Sequence, residues 1–180
     1  MNARGIGLLV GLYVMAGLSN LAWAQNDAKG DIDVNPIGKV ITVSGAAHID
    51  HPAAILAQAS LVGSTNEPTK VGDLVYRGDI VQTGPDGALS ITFADGSSFN
   101  VSNNAKMEVN NFIYDPNGHS NASLMSLTKG TFTFIAGNIA HTGSMKVDTP
   151  VGTMGIRGTA PRVEIREDGT VRFSTLVERK

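Results

Sequence analysis

His48 and His51 stand three residues apart with Asp50 between them, a grouping that could hold a metal ion if all three side chains faced one way. On a strand, residues three apart point to opposite faces, and Pro52 follows at once, so the segment reads as a solvated loop. His119 and His141 stand alone. Asp115-Pro116-Asn117-Gly118 opens like a calcium loop but lacks the bidentate glutamate that completes one, and it reads as a turn. Asp73, Asp79, Asp86, Asp95 and Asp168 each lie beside or near a glycine. Acid–base chemistry needs two carboxylates converging on one substrate, and nothing in the sequence pairs these; aspartate in a turn bonds its own backbone instead. Ser97 and Ser144 follow glycines without forming a Gly-x-Ser-x-Gly elbow. Asn121-Ala122-Ser123 has the form of a glycosylation sequon and is read as chance. The chain has no cysteine, which excludes thiolate nucleophiles, thiolate metal sites and disulfides. No catalytic residue, metal ligand or cofactor site is therefore assigned, and the chain is expected not to be an enzyme.

Arg157 is the side chain that stands out. Gly155 and Gly158 flank it, and at glycines backbone can approach a partner closely. One reading is an internal salt bridge that locks the closing strand, and this is favoured. The other is a clamp for a partner's carboxylate, which makes Arg157 the candidate partner-binding residue.

The elements that must position these residues begin after a targeting segment. Arg4, an apolar stretch over residues 6–18 and the small-x-small step Ala22-Trp23-Ala24 predict a signal peptide over 1–24, cleaved before Gln25. The apolar run falls short of the roughly 20 residues a stable span needs, so no membrane span is expected after cleavage. An uncleaved anchor is the alternative. Residues 25–36 are polar and read as a flexible lead-in. The formal net charge is -2 with basic residues scattered, so nucleic acid is not an expected partner.

From there the dominant period is two. Leu89, Ile91 and Phe93 alternate with polar residues before Asp95-Gly96, and Phe99 and Val101 continue after it. Val163, Ile165, Val171 and Phe173 do the same around Asp168-Gly169. Asp-Gly flanked by alternation predicts two hairpins on type I′ turns, with Asp95, Gly96, Asp168 and Gly169 as the turn residues. Further short strands are predicted at 107–109, 124–127 and 131–135. The whole is read as all-β, a solenoid-like, sandwich-like or barrel arrangement with at most one short helix. That helix falls at Pro52 to Ala59, where helix and alanine-rich loop are equally compatible.

Several motifs occur in a fixed order: Gly78-Asp79-Ile80-Val81-Gln82-Thr83-Gly84, then Ala88 to Phe93, then Asp95-Gly96-Ser97. Asn104 to Val109, Lys129-Gly130-Thr131-Phe132 and Asp148-Thr149-Pro150 through Arg157-Gly158-Thr159 follow. In this the chain resembles the FecR domain family over residues 37–173, with 174–180 left as a C-terminal tail. The resemblance implies a periplasmic or secreted all-β domain with solenoid-like stacking of short strands. Regulatory members resemble iron-uptake signal relays and carry a cytoplasmic sigma-factor-binding region and a membrane span. Here a signal peptide leads directly into the domain, so anti-sigma action is not expected, and the chain reads as a short version. The expected function is an exported non-enzymatic module that binds an envelope or surface protein or helps organise the cell envelope. The alternatives are the periplasmic part of a signal relay and a carbohydrate- or surface-binding module. Tyr76 and Tyr114 are the only tyrosines beyond the predicted signal peptide, which leaves few stacking platforms for sugars.

Overall fold

The computed structural model describes residues 35–58, 67–158 and 160–175. The predicted signal peptide and the lead-in up to residue 34 lie outside them. In chain order the elements are β1 (Gly38–Ser44), β2 (Ala47–Asp50), α1 (Ala53–Gln58), β3 (Leu74–Val75), β4 (Ile80–Thr83), β5 (Ala88–Phe93) and β6 (Ser98–Val101). They continue with β7 (Lys106–Ile113), β8 (Asn121–Ile135), α2 (Ile139–Thr142), β9 (Gly143–Thr149), β10 (Gly152–Ile156), β11 (Pro161–Ile165) and β12 (Val171–Thr175). The fold is all-β, a nearly closed barrel-like sheet.

Alternation produced these strands for the expected reason. Leu89, Ile91 and Phe93 of β5 are buried while Ser90 and Thr92 between them are half-exposed, and β6 repeats the pattern with Phe99 and Val101. Phe99 stacks on Phe134 at 4.9 Å and meets Phe93 edge-on at 5.4 Å, and Phe93 stacks on Phe112 at 5.4 Å. Each side chain of this size contributes about 1.5–3 kcal/mol when fully buried, so this aromatic cluster is a major source of cohesion in a protein without disulfides.

Both Asp-Gly hairpins exist, but their turns differ from the expected type. Gly96 N–H donates to Phe93 O (3.0 Å) and Phe93 N–H to Ser97 O (2.9 Å), so Ala94 and Asp95 are the central pair. Neither has positive φ; only Gly96 does, at 82°. That is a type I turn followed by a glycine bulge, not a type I′ turn. Arg166 to Thr170 repeats it, with Gly169 at 79°. Aspartate wins the second central position here because its carboxylate can bond the backbone two residues on.

The long strand β8 organises the sheet. The sequence pattern suggested separate strands on either side of Gly130; instead one strand runs through it. Gly130 has φ 104°, and a Cβ there would lie 2.3 Å from Ala105 Cβ, so only glycine lets the two segments touch. On one edge β8 pairs with β7 and then β6; on the other it pairs in parallel with β9 and then antiparallel with β11. β1 pairs with β5 and β3, and β2 with β4, so residues before the Gly78-Asp79 motif belong to the same sheet. The alanine-rich segment is helical as α1. A second helix, the single turn α2, adds to the one expected. β12 continues to Thr175, opposite Pro161, past the residue 173 boundary. Among the described residues no helix is long and apolar enough to cross a membrane.

Candidate functional site

Two buried aspartates hold the loops of the barrel. Asp79 opens β4 and is fully buried. Its Oδ2 accepts from Tyr76 N–H at 2.8 Å, and its Oδ1 lies 2.8 Å from His51 Nδ1. An ionised carboxylate only accepts, so Nδ1 of His51 carries the proton. The imidazole meets the Tyr76 ring edge-on, with centroids 5.5 Å apart. The Asp79 hydrogen bond holds the His51 pKa above its ordinary value, while burial pushes that of Asp79 up. The solvated-loop reading thus fails for His51. The pairing of β2 with β4 carries it to Asp79, 28 residues away, and ties the start of the α1 segment to the barrel.

Asp95 does the same at the β5–β6 turn. Its Oδ1 accepts from Ser97 N–H (3.0 Å) and Ser97 Oγ–H (2.6 Å), and its Oδ2 from Ile139 N–H (3.2 Å). Its carbonyl accepts from Asn138 N–H at 2.8 Å. One turn residue therefore satisfies both its own loop and the start of α2, whose N-cap, Asn138, makes no side-chain capping bond. Gly137 permits the contact: a Cβ there would lie 2.3 Å from Ser97 N and 2.5 Å from Asp95 O. Asp168, by contrast, is exposed; its carboxylate accepts from Thr170 N–H at 2.8 Å and also meets the Thr170 side chain.

Asn121 is a residue whose structural role the sequence reading missed. It is buried, accepts from Asp115 N–H and donates to Asp115 O, Gly118 O and Thr142 Oγ1. The amide that a glycan would need is occupied by these bonds. The calcium-like segment is a turn, with Asp115 Oδ1 accepting from Asn117 N–H. These aspartates and this asparagine are spent on backbone and on the neighbouring side chains of His51, Ser97 and Thr142.

The C-terminal strands present a different surface. Arg157 is exposed in the link between β10 and β11, and it has no ion-pair partner among the described residues. The internal lock favoured from the sequence is not seen among the described residues, where the Arg157 side chain stands exposed. Gly158 beside it has φ 67° and packs toward His141. Met154, Gly155, Ile156, Pro161, Phe173, Ser174 and Thr175 line a groove of ≈ 300 Å³. Five of the six phenylalanines of the chain are buried, whereas Phe173, expected in the core, is 47% exposed at this groove.

A family model described as "FecR protein" matches residues 79–177, from the buried Asp79 through β12. The chain belongs to the FecR family. The match covers both Asp-Gly hairpins, the Asp95 cluster and the Arg157 link. FecR domains are generally envelope-associated and signalling or regulatory rather than catalytic. No curated protein and no solved structure matches the chain.

Proposed function

We propose that this FecR protein is an exported, non-enzymatic module that binds an envelope or surface protein through its C-terminal strands. The observation that carries the reading is Phe173, a half-exposed aromatic on a strand that, among the described residues, pairs on one side only, beside the apolar groove of Met154, Ile156 and Pro161. An aromatic at the mouth of a groove is the usual kind of anchor in a protein interface. Two further observations support it. The buried polar groups that resemble chemistry have structural employment: Asp79 with His51 and Tyr76, Asp95 with Ser97 and Ile139. Arg157, directly after the groove residue Ile156, stands exposed where a partner's carboxylate can reach it.

The test is capture from an envelope fraction by the tagged full-length chain, identified by mass spectrometry, with Phe173→Ala and Arg157→Ala variants alongside. Both variants should melt within about 1 kcal/mol of the parent, as surface substitutions do, and lose the same captured protein. Capture unchanged in both would remove the groove from the reading, and capture of nothing by the parent would sink protein binding altogether.

A further inference from the structure

β12 pairs with β11 and with no other strand among the described residues. The phase of its hydrogen bonds follows from the turn. Arg166 N–H donates to Thr170 O, and bonded pairs in an antiparallel ladder recur at every second residue. Glu164 with Arg172 and Arg162 with Ser174 are then the bonded pairs. The N–H and C=O groups of Val171, Phe173 and Thr175 consequently point away from β11, along an open edge. Pro161 fits this phase, since it lacks an N–H and stands opposite Thr175 at an unbonded position.

The two faces of the hairpin differ in chemistry. Phe173 lies opposite Val163 on the face that meets the groove. The other face carries Arg162, Glu164 and Arg172, with Arg166 at the turn. Glu164 is taken by Arg166 Nε at 2.9 Å, which leaves Arg162 and Arg172 without an ion pair among the described residues. Natural edge strands are commonly guarded by a bulge, a proline or an inward charge, and β12 has none of these on its groove face.

Building on the protein-binding reading above, we infer that β12 is a docking edge for an extended segment of a partner protein that alternates acidic and apolar side chains. Three outward backbone positions supply the hydrogen bonds. Partner residues on one face enter the groove beside Phe173. Those on the other lie opposite Arg172 and Ser174 at unbonded pairs, where side chains approach most closely, and their carboxylates meet Arg172 and the neighbouring Arg162. A second copy of β12 fits this edge poorly, because it would add its own arginines to an already positive face.

The experiment uses a ten-residue peptide alternating Glu with Val, and a control alternating Lys with Val, against the isotopically labelled full-length chain. Amide shifts and exchange protection should appear at Val171, Phe173 and Thr175 with the acidic peptide. Arg162→Glu/Arg172→Glu, two exposed changes that leave the core intact, should weaken that peptide about tenfold or more and confer binding of the lysine peptide. Equal binding of both peptides by the parent, shifts elsewhere, no binding, or self-association through β12 that the acidic peptide does not disturb would each overturn the inference. Envelope capture separates the two levels. Capture that survives the charge reversal would sink the docking edge and keep protein binding, whereas absence of capture by the parent would sink protein binding itself.

Discussion

Replacing Asp95 with alanine should be among the most damaging single changes to this protein. The carboxylate sits fully buried and satisfies two backbone amides, Ser97 and Ile139, together with the Ser97 hydroxyl. Alanine leaves those amides without their acceptor. A buried unsatisfied donor costs about 1–3 kcal/mol, and some relaxation is available to α2, so the expected loss is about 3–5 kcal/mol. Against a domain stability of about 5–15 kcal/mol this is severe. Asp95→Asn keeps the shape and one acceptor but turns an amide toward one of the donors, and should cost about 1–2 kcal/mol. Urea unfolding followed by far-UV circular dichroism reads both, with the slope unchanged. Gly137→Ala attacks the same contact from the other loop, since its Cβ would fall on Ser97 N and Asp95 O. The Asp95→Ala/Gly137→Ala double variant should therefore lose less than the sum of the singles. An Asp95→Ala midpoint shift worth under about 1 kcal/mol, or strict additivity with Gly137→Ala, would refute the idea that this carboxylate joins the two loops.

Gly96→Val should cost about 1–3 kcal/mol, with Gly96→Asn much milder; nothing lies within 4 Å of a Cβ at 96, so the whole cost is the positive φ, and equal melting of the two variants would show otherwise. The His51–Asp79 pair predicts a pH dependence. Because the His51 pKa is raised on folding, its contribution is complete below the unfolded histidine value and is lost as pH rises through the folded one. The stability gap between parent and His51→Asn should accordingly shrink from pH 6 to pH 9, and a constant gap would contradict the pair. Ser123 Oγ is buried without a partner among the described residues, so Ser123→Ala should leave stability unchanged or raise it by up to about 1 kcal/mol; a large loss in thermal unfolding would mean the hydroxyl has a partner.

How much of this was legible in the sequence depended on whether the controlling interaction is local. Period-two alternation is local, so β5, β6, β11 and β12 could be read directly, and Asp95-Gly96 and Asp168-Gly169 marked their hairpins. The turn type could not, because type I with a glycine bulge and type I′ both use Asp-Gly. His51 was misread because its partner lies 28 residues on and meets it only when β2 pairs with β4. The signal available was a histidine before a proline and a Gly-Asp step opening a strand, and neither names the other. The strands read at 124–127 and 131–135 are one, because the missing side chain of Gly130 lets β8 run on against Ala105.

Phe173 shows the limit most clearly, and it bears on function. Its alternation with Arg172 and Ser174 matches that of Phe99 between Ser98 and Asn100, yet Phe99 is sealed and Phe173 is half exposed. Alternation says which face of a strand is apolar. It does not say whether another layer covers that face, or whether a further strand lies along its edge. Phe99 has β5 and β8 on either side of its strand, whereas among the described residues Phe173 has only β11. The same alternation therefore makes a core strand in one hairpin and, among the described residues, an arginine-flanked edge in the other. On the docking reading proposed above, a segment that pairs with β12 would supply both a backbone partner and apolar cover, which is why an extended segment satisfies this surface better than a rounded one.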